Sequence, residues 1–170
     1  MDSLNTHRKR RLTMSPLEKL IAIEEIKQCK ARYWRAVDSK DFDLLRTVLA
    51  EDVVFDTSLV ATDPVKGQHP LIPSKQEPSR SCEEIIANAR KLMGDNVQSA
   101  HMGHIPEITL TSDTTAKAYF PFEDRVLTHG KAAFDGYGYY DDTFEKIDGH
   151  WKVKASKVYR YRVIFDDINL

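Results

Sequence analysis

The strongest constraint on the fold of this chain is a change in the period of its apolar residues. In the first half, apolar residues recur at spacings of three and four, as they do on one face of a helix. In the second half, β-branched and aromatic residues dominate four segments with a period of two, 100–110, 114–128, 136–146 and 151–165. Helices followed by strands, with no alternation between them, predict an α+β fold in which a curved antiparallel sheet wraps around the N-terminal helix.

Capping signals predict three helices. The tetrapeptide 15–18, Ser-Pro-Leu-Glu, is a capping box that starts a helix running from Pro16 into the late thirties. One stripe of this helix is apolar apart from a single lysine, and it consists of Leu20, Ile23, Ile26, Lys30, Tyr33 and Val37. A short second helix at 42–49 leads to a strand at 52–56. A second capping box, at 81–84, starts a third helix that ends at Gly94.

The chain divides into one domain and two irregular stretches. Its 170 residues suffice for one core, and we predict a single domain over 15–170. Residues 1–14 are polar and include the basic cluster 8–11, which is either an import or nucleic-acid patch or, as composition favours, part of a disordered tail. Residues 63–81 contain four of the seven prolines and predict a long loop, either a lid or a mobile connection.

Charge and cysteine content argue against several classes of partner. The formal net charge is −1, which predicts neither nucleic acid nor a membrane surface as a partner. No apolar run approaches the ~20 residues that a membrane span needs. Cys29 and Cys82 both fall in predicted helices and suggest neither a disulfide framework nor a zinc site. These features predict a cytoplasmic protein.

Two polar residues of the first helix are candidates for chemistry. Tyr33 lies on the apolar stripe, so its hydroxyl enters the interior, either as a functional group or as a core tyrosine with one partner. Asp38 stands at the C-terminal end of the helix dipole, where a carboxylate is unfavourable. Because Asp41 can cap the second helix, Asp38 is available for a functional or paired role.

The pair His101 and His104 resembles a metal motif at first sight. Residues three apart on a strand point to opposite faces, so the two cannot share one ion, and we predict no metal site. Only one imidazole can enter the interior. With a carboxylate behind it, that histidine would be a general base, and otherwise it is a satisfied core histidine.

The second half of the chain supplies two further candidates. Asp124 shares a strand face with Phe120 and Phe122, and burial there would raise its pKa and make it a proton donor unless a cation lies beside it. Strict alternation places Arg160 outside with the lysines of its strand. Its inward placement therefore requires a β-bulge.

Several segments together resemble a known family. They are Ile21–Asp56, His101–Ile108, Phe122–Arg125, Tyr140–Lys146 and Ile147–Trp151. The chain resembles the SnoaL-like group of the NTF2-like superfamily, and within it the bile-acid 7α-dehydratase branch. The resemblance covers the chain except for the tail, the Pro-rich loop and residues 129–135.

The resemblance implies a cone-shaped α+β barrel, a homodimer or homotrimer, and an enzyme that needs no cofactor. Related lyases include scytalone dehydratase and hexachlorocyclohexane dehydrochlorinase. Position by position, the implied catalytic residues are Tyr33, Asp38, His101, Asp124 and Arg160. The predicted substrate-binding residues are aromatic: Trp34, Phe55, Phe120, Phe122 and Tyr140.

These assignments predict a cofactor-independent lyase of dehydratase type for a small hydrophobic hydroxy-carbonyl compound, steroid-like or polyketide-like and aromatic. His101 would abstract a proton, Asp38 would fix its tautomer, and Tyr33 would donate to the enolate oxygen. Asp124 would orient or protonate the leaving hydroxyl, and Arg160 would hold a substrate carboxylate or phenolate. The alternatives are an isomerase or cyclase of natural-product biosynthesis that uses the same dyad, and a non-catalytic binding or assembly module.

Overall fold

The computed structural model of the protein describes residues 13–68, 77–129 and 132–166. The helices are α1 (Pro16–Ser39), α2 (Phe42–Val48) and α3 (Cys82–Leu92). The strands are β1 (Leu49–Asp56), β2 (Thr62–Asp63), β3 (Gly67–Gln68), β4 (Val97–Gly103), β5 (Glu107–Leu110), β6 (Thr115–Thr128), β7 (Ala132–Ile147) and β8 (His150–Asp166).

The helix boundaries follow the capping signals of the sequence. The Ser15 hydroxyl accepts from the backbone N–H of Glu18, whose carboxylate accepts from the Ser15 N–H, so the predicted capping box is present. Asp41 caps α2, and Ser81 caps α3. The predicted α1 and α3 are confirmed. The second helix ends one residue before Leu49, which instead begins β1.

The sheet confirms the α+β class and corrects one detail of it. Its strand order is β1-β8-β7-β6-β4, with β5 paired to β6. Every pairing is antiparallel except that of β1 with β8, which is parallel, so the expected antiparallel sheet is mixed. This pairing is possible because a long crossover, containing α3 and the other strands, separates β1 from β8 in the chain. The described strands leave the barrel open, since β1 and β4 lie at opposite edges.

The segment predicted as one strand over 100–110 forms two strands. Residues 104–106 separate β4 from β5 and end in Pro106, which has no N–H to donate to a ladder. Both strands pair with β6, so this edge of the sheet continues on either side of the break.

The helices cover one face of the sheet and bury the core against it. α1 contacts β4, β5 and β8, and α3 contacts β1. The apolar stripe of α1 is buried at Ile26 and Tyr33 in one cluster with Phe120 and Phe144 of the sheet. None of the helices in the described ranges is long and apolar enough to cross a membrane.

Two irregular stretches of the sequence fall largely beyond the described residues. Of the predicted tail 1–14, only Thr13 and Met14 are described, and the Thr13 N–H donates to Asp113. Residues 69–76 of the predicted loop 63–81 also lie outside. On either side of that gap, β2 and β3 form a small hairpin, and Ser79 pairs with Phe55 of β1.

Strand β8 contains the bulge that an inward Arg160 requires. Before Lys154, the residues of β8 that are buried in the core are Trp151 and Val153. The register of β8 against β7 shifts at Lys154, and the buried residues between this shift and a second one at Tyr161 are Ser156, Val158 and Arg160. The second shift leaves Tyr161 without a partner in the ladder. The first bulge thus reverses the parity of the strand and brings Arg160 inside.

Gly138 permits the close strand approach at the second bulge. A Cβ at this position would lie 2.0 Å from the backbone carbonyl oxygen of Tyr159. We therefore expect Gly138→Ala to lower the free energy of unfolding by about 1–3 kcal/mol, as measured by urea denaturation. Gly94→Ala is the control, because its Cβ would meet only Asn96 Oδ1 at an ordinary 3.5 Å. Equal stabilities of the two variants would contradict this account of the bulge.

Candidate active site

A carboxylate at the end of α1 meets the side chains of β4. Asp38 Oδ1 lies 2.7 Å from His101 Nδ1 and also accepts a hydrogen bond from the Ser99 hydroxyl at 2.7 Å. Asp38 Oδ2 accepts from the backbone N–H of His101 at 2.9 Å. Ser99 and His101 are two residues apart and so share a face of the strand. Three donors from one strand therefore fasten the helix end to the sheet.

These hydrogen bonds decide the electrostatics of the pair. Burial on its own would raise the pKa of Asp38, but the hydrogen bonds from His101 and Ser99 hold that pKa below its usual value of 3.8. An ionised Asp38 can only accept, so His101 Nδ1 carries the proton in this contact and the lone pair of the neutral ring lies on Nε2. The His101 side chain is 9% exposed. Among the described residues, none forms a hydrogen bond with Nε2.

A buried ion pair, Arg160 with Asp124, faces His101. Arg160 donates from Nη1 and Nη2 to the two carboxylate oxygens of Asp124, at 2.8 and 2.9 Å, and from Nε to the Val60 carbonyl at 2.8 Å. Both side chains are 1% exposed. Asp124 Oδ2 lies 3.8 Å from His101 Nε2, which is too far for a hydrogen bond. The guanidinium of Arg160 is therefore the cation beside Asp124. The prediction that burial makes Asp124 a proton donor applied only without such a cation.

Gly136 leaves the room that this ion pair occupies. It lies opposite Asp124 in the β6–β7 ladder. A Cβ there would come within 2.3 Å of Asp124 Oδ1 and 2.4 Å of Arg160 Nη1. Only glycine fits at this position without displacing the ion pair.

Aromatic rings connect the Asp38–His101 pair and the Asp124–Arg160 ion pair to the tyrosine of α1. The His101 ring stacks on Phe122 at 6.3 Å between centroids, and Phe122 lies 4.3 Å from Tyr140. Tyr140 meets Tyr33 edge to face at 6.1 Å, and the Arg160 guanidinium lies 4.9 Å from the Phe122 ring. The predicted catalytic residues therefore border one continuous aromatic cluster.

The same cluster includes the remaining predicted binding residues. Phe55 stacks on Tyr33 at 5.7 Å, and Phe120 packs edge to face on Trp34 at 5.8 Å. Trp34 lies against Gly103, where a Cβ would overlap the indole ring. The structure brings all ten predicted site residues together, and their chemical roles remain predictions.

Tyr33 and Tyr140 are buried phenols that keep their protons. Burial raises the pKa of each above its usual value of 10.0. The negative charges of Asp142 and Asp38 raise the pKa of Tyr33 further, whereas a hydrogen bond with Tyr140 opposes the shift. Both hydroxyls can therefore act as hydrogen-bond donors at neutral pH.

His104 lies outside this arrangement. Its side chain is 56% exposed and its Nε2 is 3.5 Å from Glu123 Oε1. Within the described ranges, no group of three His, Cys, Asp or Glu side chains is placed to hold a metal ion.

Three features of the site were absent from the sequence argument. Ser99 could have been found, because it shares the strand face of His101. The Val60 carbonyl left no signal. The buried ion pair of Lys30 with Asp142 did leave one, because Lys30 interrupts the apolar stripe of α1 and Asp142 shares a strand face with Tyr140.

Comparisons with known proteins support the fold. The SnoaL-like domain family matches residues 18–157. A candidate scytalone dehydratase from Novosphingobium aromaticivorans is similar in structure, with a TM-score of 0.73 and 16% identity, over 91% of this chain and 94% of that one. A hexachlorocyclohexane dehydrochlorinase from Novosphingobium barchaimii has a TM-score of 0.73 and 13% identity, over 91% and 96% of the two chains. A candidate aromatic ring hydroxylase from N. aromaticivorans has a TM-score of 0.72 and 19% identity, over 90% and 96%.

The depressed pKa of Asp38 predicts a pH-dependent contribution to stability. A carboxylate with a folded-state pKa below 3.8 stabilises the fold above that pH, and the stabilisation is lost as the pH falls through the lower folded value. In urea denaturation near neutral pH, we expect Asp38→Asn to be less stable than the wild type by about 1–2 kcal/mol.

This difference should narrow as the pH is lowered below 3.8. The exposed Asp95→Asn is the control and should stay within about 0.5 kcal/mol of the wild type throughout. A stability difference for Asp38→Asn that does not vary with pH would show that the Asp38 hydrogen bonds do not depend on its charge.

Proposed function

The chain belongs to the SnoaL-like family, and from that premise we propose that it is a lyase of dehydratase type, which removes water from a small hydrophobic hydroxy-carbonyl compound. The observation that carries the proposal is the imidazole of His101, which is 9% exposed, bound to Asp38 through Nδ1 and with Nε2 facing Asp124. Two of the similar folds carry the names of eliminating enzymes, a dehydratase and a dehydrochlorinase.

The proposed first step is removal of a proton from the carbon next to the substrate carbonyl. His101 Nε2 takes the proton, and the C–H electron pair moves into the developing enolate. The ring becomes an imidazolium. Its other nitrogen, Nδ1, already lies 2.7 Å from Asp38 Oδ1 and carries its proton towards that oxygen. The carboxylate fixes the ring orientation before the reaction and stabilises the positive charge that forms on it.

The enolate oxygen needs a hydrogen-bond donor as its charge develops. Tyr33 is suited to this role because it is buried and its raised pKa keeps the hydroxyl protonated. A donor that is already in place is worth roughly 3 kcal/mol of transition-state stabilisation.

We place the leaving hydroxyl beside His101 and Asp124. An oxygen atom to one side of the line that joins Nε2 and Oδ2, which are 3.8 Å apart, could hydrogen-bond to both. Asp124, with its oxygens bound by Arg160, would accept the hydroxyl hydrogen and so orient the group. The enolate electron pair would then form the C=C bond and restore the carbonyl while the C–O bond breaks. The departing oxygen takes the C–O electron pair and the proton held on Nε2, so that water leaves and His101 returns to its starting state.

The aromatic side chains of the cluster indicate the class of substrate that we propose. Phe55, Phe120, Phe122 and Trp34 present apolar ring surface, and the guanidinium of Arg160 is already paired with Asp124. We therefore propose a compound with a hydrophobic, steroid-like or aromatic polyketide-like body rather than a highly charged metabolite. A homodimer or homotrimer remains a prediction from the resemblance, and a cytoplasmic location remains a prediction from the charge and cysteine content.

The test is turnover of a panel of apolar β-hydroxy ketones, with products identified by mass spectrometry. We expect loss of water by at least one compound. His101→Ala, Asp38→Asn and Tyr33→Phe should each lower kcat/KM by about a hundredfold or more. His104→Ala is the matched control, because that exposed histidine lies three residues away and outside the cluster, and it should retain wild-type turnover.

Two other outcomes would favour the alternatives. A product of unchanged mass that still requires His101 would identify an isomerase or cyclase. Retention of a compound without turnover, equal in the wild type and His101→Ala, would identify a binding module and contradict the proposed enzyme.

A further inference from the structure

Lys30 and Asp142 form a buried ion pair that the proposed steps do not use. Lys30 Nζ lies 2.7 Å from Asp142 Oδ2, and both side chains are 0% exposed. Lys30 projects from α1 one turn before Tyr33, whereas Asp142 projects from β7 two residues after Tyr140. The pair therefore lies beside the two phenols and joins the elements that carry them.

Four aromatic rings surround the ammonium group. Nζ is 3.5 Å from the centroid of Tyr140, 4.7 Å from Tyr33, 5.4 Å from Trp34 and 5.7 Å from Phe120. A cation over a ring face is attracted by the π electrons and withdraws electron density from the ring. At 3.5 Å, this interaction is strongest with Tyr140. All four rings belong to the predicted site.

A buried ion pair needs a reason other than stability. Desolvation of two charges offsets most of their attraction, and an apolar pair of similar volume often stabilises a core equally well. Burial lowers the pKa of Lys30 and raises the pKa of Asp142, while the charge of each partner opposes these shifts. Asp142 also raises the pKa of both Tyr33 and Tyr140. A positive charge beside a phenol favours its ionised form, so the Lys30 ammonium opposes the effect of Asp142 on the two hydroxyls.

We propose that Lys30 is a positioning residue which, seated on the Tyr140 ring and close to the Tyr33 ring, strengthens the hydroxyls of Tyr140 and Tyr33 as hydrogen-bond donors towards an oxyanion in the site. Asp142 is the counterion that holds the ammonium there. This inference rests on the proposed function, in which Tyr33 donates to the enolate oxygen. It adds a charged group that acts through the tyrosines without touching the substrate.

The probe for the test is 4-nitrophenol, an aromatic molecule whose phenolate absorbs visible light and carries its charge on one oxygen. We would measure the ratio of ionised to neutral 4-nitrophenol bound to the full-length protein at a fixed pH. Lys30→Met should lower this ratio by about tenfold, because the ammonium is lost and the carboxylate remains. Asp142→Asn should raise it at acidic pH, where Lys30 keeps its proton, because the ammonium then acts on the bound phenolate without its counterion. The acidic pH is needed because burial lowers the pKa of Lys30 and Asp142 no longer opposes that shift.

The two substitutions should change the ratio of ionised to neutral 4-nitrophenol in opposite directions, which distinguishes the proposed role from a purely structural one. If the pair only holds the rings in place, either substitution loosens the cluster and both ratios fall. If Lys30→Met alone does not fold, the double variant Lys30→Met/Asp142→Leu takes its place. Its two apolar side chains leave no unpaired charge in the core, so we expect it to fold. Its ratio should lie below that of the wild type and above that of Lys30→Met.

Two controls distinguish failure of this inference from failure of the proposed function. Tyr33→Phe should lower the bound ratio, and the exposed pair Arg46–Glu83, changed to Arg46→Met or Glu83→Gln, should leave it unchanged. A fall with Tyr33→Phe, together with no change or changes of equal sign at Lys30 and Asp142, would overturn this inference alone. No binding by the wild type, or no effect of Tyr33→Phe, would contradict the proposed function and this inference with it.

Discussion

The arrangement of the site depends on one carboxylate at the end of the first helix. Asp38 accepts hydrogen bonds from Ser99, from the His101 backbone and from the His101 ring, so all three of these donors come from one strand. The helix end is therefore held in register with β4 by the same group that sets the tautomer of the imidazole. A change at Asp38 would affect both the packing of α1 on the sheet and the position of the lone pair at Nε2.

Three pairs of polar side chains surround one aromatic cluster, and each is fixed in a different way. Asp38 and His101 are held by the strand, Asp124 and Arg160 by a two-point contact and the space at Gly136, and Lys30 and Asp142 by four rings. Interiors that serve only stability contain few such groups, because desolvation opposes the burial of charge. Their concentration around Phe122 and Tyr140 is what supports a catalytic interior over a structural one.

The sequence predicted the parts of this structure that depend on local signals. Capping boxes and periodicity placed α1 and α3. Asp38 stood out because a carboxylate is unfavourable at the C-terminal end of a helix dipole. The parity of β8 could not be predicted, because a bulge at Lys154 in the ladder with β7 reverses it and no residue type at that position marks a bulge. The parallel pairing of β1 with β8 joins segments about a hundred residues apart in the chain, which local signals do not connect. Lys30 stood out by interrupting the apolar stripe of α1, but the sequence did not indicate its partner, because Asp142 is more than a hundred residues away.

The most direct test of the central claim is the tautomer of His101, which ¹⁵N NMR can report without a substrate. Spectra of ¹⁵N-histidine-labelled protein at about pH 8.5, above the usual range for protonated imidazole, would be compared with those of His101→Ala to assign the resonances. We predict a proton on Nδ1, with the downfield shift of a hydrogen bond to a carboxylate, and an unprotonated Nε2. In Asp38→Asn the downfield shift should be lost. A wild-type ring protonated on Nε2 alone would show that His101 does not offer its lone pair to the site, and would contradict the account.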